Sequence, residues 1–229
     1  MVTMGQLSLL RLLQLSDSNF PSGSFAFSNG LETMDKELSI LSLINLNEML
    51  IEQILPRWFD FDRYFILKAT ASRGIIDNLL QLDKKCHLQN TNEAMAAASR
   101  RVGRSLLTVH KKMNTVCAVK YWEACSSLIL NDSGGYQPVI IGMVGSELKL
   151  SQKEVEAGAL FGAVTSFYSA AIRLNLIGSI EAQRLISEVL PELDRMLQRA
   201  PPDYPYSNAL LSEIAASRHK DLDLSLFSN

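Results

Sequence analysis

The chain has 229 residues, 47% hydrophobic and 20% charged, with a formal net charge of -2 and a pI near 6.0. That is enough chain to bury a sizeable core, as one large domain or two small ones, and it excludes a disordered or fibrous protein. The charge balance also argues against a chain built mainly to bind nucleic-acid phosphates.

The 3 cysteines, Cys86, Cys117 and Cys125, form no CxxC and fit a reducing cytoplasm better than secretion. No signal-peptide pattern opens the chain. The longest late uncharged stretch, Ala157 to Ile172, is shorter than the roughly 18 to 20 apolar residues of a bilayer span and reads as a buried helix.

Residues 6–15 carry leucines at 7, 9, 10, 12, 13 and 15, apolar almost all round, so this helix is expected to be buried on several sides. Turn formers then interrupt the pattern. Ser16-Asp17-Ser18-Asn19 leads into Phe20-Pro21-Ser22-Gly23-Ser24, with Phe25 and Phe27 behind. A loop that owns large aromatic side chains and sits on a rigid scaffold is where function tends to be placed. Asn29 and Glu32 have capping-box spacing, giving an expected helix from Gly30 to about Leu38.

Leu46, Met49, Leu50, Gln53 and Ile54 keep helical spacing up to Pro56, which is expected to end or kink the helix. Trp58, Phe61, Tyr64 and Phe65 continue as an aromatic face that reads as core. A short helix around Ile75 to Leu80 follows, then a polar break from Asp83 to Gln89. A second box, Asn90 to Glu93, opens a helix with Ala94, Ala98, Val102, Leu106 and Val109 on one face and Arg100, Arg101, Arg104, Lys111 and Lys112 over much of the rest.

Cys117 to Ile129 is another helical run, closed by the loop Asn131 to Gly135. Val139 to Leu148 is compatible with strand or helix. Ser151 to Glu154 is a third box, and Gly158, Gly162 and Ser166, four apart, suit close approach of another helix. Gly178 is placed as a C-terminal stop, and Pro191 as a kink or a new first turn. Pro201 to Pro205 reads as a linker before a last helix, about Ser207 to Lys220, and an apolar tail. No window alternates long enough for a convincing strand. The expected fold is all-α, a single-domain bundle of about nine to eleven helices. Residues 1–200 form its core; residues 201–229 add the linker, the last helix and the tail to the same domain.

Chemistry-bearing patterns are few. His87, His110 and His219 are far apart, and neighbouring Cys86 and His87 point in different directions on a helix, reading as a surface pair on a polar connection. HExxH, GxSxG and GxxxxGK[ST] do not occur. The serines of the early loop read as caps. The arginines at 100, 101 and 104 read as a solvated face or as a contact for an acidic partner.

Four stretches carry a family resemblance. LLQLSDSNFPSGSFAFSNGLE at 12–32 resembles the N-terminal signature of the urease accessory protein UreF family. Ala98-Ser99 with Gly103, then Ser169-Ala170-Ala171-Ile172-Arg173-Leu174 with Gly178 and Gln183, resemble its later motifs, and Leu226-Phe227-Ser228 its ending. The resemblance implies a UreF-like helical fold and a non-enzymatic, cytoplasmic, homodimeric chaperone of urease maturation. Its implied partners are UreD (UreH), the GTPase UreG and the urease apoprotein, with no nucleic acid and no membrane. Nickel is then cargo of the assembly and GTP belongs to UreG, so no cofactor is bound stably here.

Residue by residue, the resemblance implies a partner-facing surface shaped by Pro21, Gly23, Ser24, Phe25, Ser28, Gly30 and Glu32. Arg173, Gly178 and Gln183 form a second group. Leu224, Leu226 and Phe227 form a tail expected to be loose in the free protein and to order on the UreD-type partner. The chain departs from the family pattern at Phe27, where histidine is common, and at Ser225, where arginine is usual. Two other readings stand beside this one: an adaptor unrelated to urease that binds an acidic partner through Arg100, Arg101 and Arg104, and a small helical enzyme using Ser24 or Ser28.

Overall fold

The computed structural model describes residues 5–17, 19–23, 30–36, 45–127, 134–207 and 209–218. It is all-α, as expected, with ten helices and no strand among the described residues. They are α1 (Gln6–Ser16), α2 (Leu31–Lys36), α3 (residues 46–71), α4 (Ile76–Gln89), α5 (Glu93–Lys112), α6 (Val116–Ser127), α7 (Gln137–Glu147), α8 (Gln152–Arg173), α9 (Ser179–Leu197) and α10 (Leu210–Arg218).

α7 is the hub. Its sequence is apolar on every side, and Val139, Ile140, Met143 and Val144 are all buried. A helix that is hydrophobic all round belongs in the centre of a bundle. Val139 to Leu148, compatible with strand or helix by pattern, is therefore helix, with Pro138 in its first turn where a missing N–H costs nothing. α7 lies against α3, α5, α6 and α8. The core around it has two lobes. One gathers α8, α9 and the first half of α3; the other gathers the second half of α3 with α4 to α7; Ile141 and Leu148 of the α7 region touch both.

α3 runs through Pro56 rather than ending there. The chain widens into π-helical turns at Leu50–Ile54 and Trp58–Asp62, where the Leu55 N–H donates to the Leu50 carbonyl and the Arg63 N–H to that of Trp58. A five-residue turn gives the proline ring room against the preceding carbonyls. The aromatic face packs inward as expected, with Trp58, Phe59, Phe61, Tyr64 and Phe65 buried.

Several boundaries move. The polar break at Asp83 to Gln89 is helical, the second half of α4, with Asp83 and Cys86 buried. The box expected from Asn90 sits two residues later, with Asn92 as N-cap accepting from the Met95 N–H. Ser151 and Glu154 do form a reciprocal capping box. Gly178 is the N-cap of α9 rather than a stop for α8. α8 is closed instead by Asn175, at φ 59, whose N–H donates to Ile172 while that of Leu176 reaches Ala171. Pro191 sits within a continuous α9. The expected linker is tied down: Pro205 is buried and the Tyr206 N–H donates to the Asp60 carbonyl.

The largest reversal is α1. None of its residues is buried, and Leu7, Leu9, Leu10 and Leu13 face outward. Leu12 and Leu15 alone of its leucines pack against the core. Among the described residues one helix, α8, is long and apolar enough to cross a membrane, and half of its apolar stretch is buried within the fold, as befits a core helix.

Close helix approach is found elsewhere than at the Gly158 series. A methyl group at Gly142 of α7 would run into the Ile66 carbonyl and lie 2.7 Å from Ala69 Cβ and 2.9 Å from Thr70 N on α3. At Gly158 only the Leu12 side chain is close, and at Gly162 nothing lies within 4 Å. Gly142→Ala should therefore lower the unfolding free energy by about 1–3 kcal/mol through overpacking. Gly162→Ala should be neutral or raise it by up to about 1 kcal/mol through helix propensity. Urea unfolding followed by circular dichroism reads both, and equal effects would contradict this assignment of the close contact.

Candidate functional site

The early loop is pinned where it can be described. After α1, Asp17 accepts from Asn19 through the backbone N–H (2.8 Å) and the side-chain amide (3.1 Å), an Asx turn that stops the leucine helix. The Phe20 N–H returns to the Asp17 carbonyl and the Ser22 N–H to that of Phe20. The loop then lies along α5. Phe20 packs its ring 5.6 Å from that of His110, and the Ser105 hydroxyl donates to the Pro21 carbonyl at 3.4 Å. Gly23 adopts φ 77, and a side chain there would begin 3.1 Å from Ser105 Oγ. Both the left-handed backbone and the tight space favour glycine.

Gly30 is pinned on a different helix. It has φ +84, and a methyl group would lie 3.0 Å from Ala215 Cβ of α10. Its carbonyl accepts the first helical bond of α2, from the Met34 N–H. The expected box at Asn29 and Glu32 falls partly on Asn29, outside the described residues; what the structure describes is the Glu32 side. Its carboxylate is buried and pairs with Lys36 one turn on, at 2.8 Å. Asn29, Ser24, Phe25 and Ser28 lie outside the described residues, as do Leu224, Leu226 and Phe227.

Phe20, Ser22 and Gly30 border one cavity of about 270 Å³, and Ser212 and Ala216 of α10 border it too. The structure thus brings both ends of the early loop together with the helix that leads into the tail. Pro21 and Gly23 are exposed beside this cavity, on α5. Arg173, Gly178 and Gln183 are a separate, exposed group at the α8–α9 turn, and none of them borders the cavity.

Pattern reading passed over the polar groups that hold this frame. Arg57, buried in α3, donates to Ser207 Oγ at 3.0 Å, reaches Asn90 Oδ1 at 3.4 Å, and lies over the Phe61 ring at 4.1 Å. Asp62 borders the cavity, and burial raises its carboxyl above the ordinary range despite the nearby Arg57 charge. Asp83 accepts from the Tyr121 hydroxyl and from the Gly135 and Tyr136 N–H groups, which anchors the start of α7. The signal for these was available: charges placed by helical spacing on an apolar face need partners inside.

The Cys86–His87 pair is likewise not on a surface connection. Cys86 is buried, and His87 Nδ1 lies 2.9 Å from the Tyr136 hydroxyl. Among the described residues no three His, Cys, Asp or Glu side chains converge as metal ligands. Arg100 and Arg104 of the stripe are turned onto their own chain. Arg100 binds Glu93 and Tyr136, and Arg104 the Gly134 carbonyl.

The UreF family model matches residues 45–190. The chain belongs to the UreF family. Its similarity to curated relatives extends beyond the matched segment. It is 28% identical over 238 residues to a protein of Trichodesmium erythraeum named Urease accessory protein UreF, covering 96% of each chain. Proteins of the same name from Bacillus sp. (strain TB-90) and Photorhabdus laumondii are 26% and 24% identical and align over 96% and 99% of this chain and 98% and 100% of their own. The chain is thus an accessory protein of urease maturation by family, and that family is not a catalytic one.

The loop's seat on α5 includes a titratable group. His110 is buried, its Nδ1 lies 3.0 Å from Thr115 Oγ1, its Nε2 has no partner among the described residues, and burial lowers its pKa below the ordinary 6.5. The unfolded chain then takes up a proton that the folded chain resists, so stability is full above about pH 6.5 and falls as pH drops below it. The slope contributed by this residue approaches 1.4 kcal/mol per pH unit at most. In His110→Gln the loss between pH 7.5 and 5.5 should be smaller than in the wild type, as urea midpoints at the two pH values will show.

Proposed function

We propose that this UreF-family chain is a scaffold that joins a UreD (UreH) partner, recruits the GTPase UreG, and so assists GTP-dependent delivery of nickel to the urease apoprotein in the cytoplasm. Nickel is the cargo and GTP the partner's substrate. The observation that carries the reading is the seating of the signature loop: its ends are fixed on α5 and α10 by left-handed glycines against Ser105 and Ala215. Such fixing gives the loop two firmly seated ends, and a pre-organised base lowers the entropy cost of docking a partner. α10 leads directly to the tail of Leu224, Leu226 and Phe227, so tail and loop can serve one partner surface. Arg173, Gly178 and Gln183 supply a second contact group, for which UreG is a candidate.

The adaptor reading has less support. An acidic partner would need Arg100 and Arg104 free of the internal bonds that they make to Glu93, Tyr136 and Gly134. Charge reversal at those positions should cost folding before it costs binding. The enzyme reading rests on Ser24 or Ser28 alone, and alanine at both should leave urease activation intact.

The deciding test is capture of UreD and UreG homologues by the full chain, followed by urease activation with nickel and GTP. Gly23→Val should retain the helical spectrum while weakening UreD capture at least tenfold, because valine strains a positive φ and meets Ser105. Truncation after Lys220 should weaken the same capture. No capture by the wild-type chain would refute the scaffold reading.

A further inference from the structure

The cavity between α3, α5 and α10 is walled on one side by α3, and that wall carries two charged side chains. Arg57 and Asp62 both border it, with Trp58 of the same helix. A largely apolar cavity with a few convergent polar groups is the ordinary form of a small-molecule site.

The widened turn of α3 puts both charges there. Arg57 and Asp62 are five residues apart, at the two edges of the π-helical stretch Trp58–Asp62. Five residues of regular α-helix would leave their side chains about 140° apart around the axis. A wider turn brings them back toward one face, and π-turns of this kind are frequent at functional sites.

Neither charge has a counterpart in contact. Arg57 is only 7% exposed. Of its five N–H donors, one serves Ser207 and one Asn90, and the buried Nε has no partner among the described residues. The Asp62 carboxyl makes no hydrogen bond among them either, and burial raises it while the Arg57 charge acts the other way. A buried guanidinium without an anion and a buried carboxyl without a donor both lose hydration that the fold does not replace.

We propose that this α3 wall binds a free α-amino acid with an apolar side chain, its carboxylate on Arg57 and its ammonium on Asp62. The chemistry selects that class. A carboxylate fits the fork formed by Nε and one Nη better than a neutral acceptor does. A simple anion would satisfy Arg57 but set its charge beside Asp62, and a simple cation would do the reverse beside Arg57. A zwitterion serves both groups and adds no net charge to a buried site. Its ammonium also gives Asp62 the opposite charge that favours ionisation. The side chain then lies against Trp58, Met95 and Val102, which border the same cavity.

Size agrees. The cavity of about 270 Å³ falls just below the roughly 300–1,000 Å³ of pockets that hold drug-sized ligands. Met95 and Val102 belong to α5, and Ser212 of α10 borders the cavity too, so one ligand would join three helices. The site stands apart from the scaffold reading, and either can hold without the other.

Equilibrium dialysis of the full chain against radiolabelled L-leucine tests the site. Binding should saturate near one molecule per chain, and leucine should raise the urea midpoint, since a ligand of the folded state alone stabilises it. Isocaproate (leucine without its ammonium) and isoamylamine (leucine without its carboxylate) should each compete at least about tenfold more weakly. Asp62→Asn keeps the shape and removes the charge. It should retain the helical spectrum, weaken leucine binding at least about tenfold, and leave isocaproate binding equal or tighter. No saturable binding of leucine or methionine up to about 10 mM overturns the proposal. Equal competition by all three molecules overturns it as well, because the cavity then accepts apolar groups without reading charge. So does a folded Asp62→Asn chain that binds leucine as the wild type does. The ligand series is read on the wild-type chain, so it decides even where the variant fails to fold.

Discussion

The fold depends on how closely α7 can lie against α3. Gly142 has no side chain, so the backbone of α7 comes within contact of Ile66, Ala69 and Thr70. Gly103 serves the same end on α5: a methyl group there would lie 2.7 Å from the Gln137 nitrogen, at the start of α7. With both approaches made, an apolar rod is enclosed on every side and ten helices can share one centre. Such backbone contacts leave no slack, because densely packed interiors transmit rather than absorb a displacement.

Buried polar ties fix the outer parts to that centre. Arg63 of α3 binds Glu156 of α8 and donates to the Leu197 and Arg199 carbonyls at and just past the end of α9, at 3.0 and 2.9 Å. One guanidinium thus fastens three helices and satisfies the carbonyls at a helix end, which otherwise lack intrahelical donors. A buried pair of this kind contributes little net stability over apolar residues of the same shape, but it tolerates no partner exchange. Arg57 does the same for the segment before α10, and Asp83 for the segment before α7. The two described ends of the early loop, at Gly23 and Gly30, therefore rest on α5 and α10, parts of a frame tied together by buried charges.

Periodicity made most of the helices legible, and the family motifs made the candidate residues legible. The errors have physical reasons. Asp83 to Gln89 looked like a break because its residues are polar, yet Asp83 is the acceptor that the start of α7 needs. Pro56 looked like a stop because an α-helix cannot accommodate it without loss, yet a π-turn can. The segment 201–205 looked like a linker because prolines cannot extend a helix, yet Pro205 is buried and the Tyr206 N–H finds the Asp60 carbonyl. In each case the missing information was a contact partner more than fifty residues away, or a turn type outside the usual set.

α1 is a different kind of error. Its leucines state correctly that every side of the helix is to be covered, and they say nothing about which chain does the covering. The isolated chain covers one side, through Leu12 and Leu15, and leaves the other bare. Four leucines of the first helix face outward, and its single charge is turned back onto the Leu148 carbonyl. The same distinction governs the early loop. Its glycines and its Asx turn are explained within the chain, whereas the exposed Pro21 is a face that the proposed docking would cover. Where pattern demands burial and the fold does not provide it, the difference measures what a partner must bring.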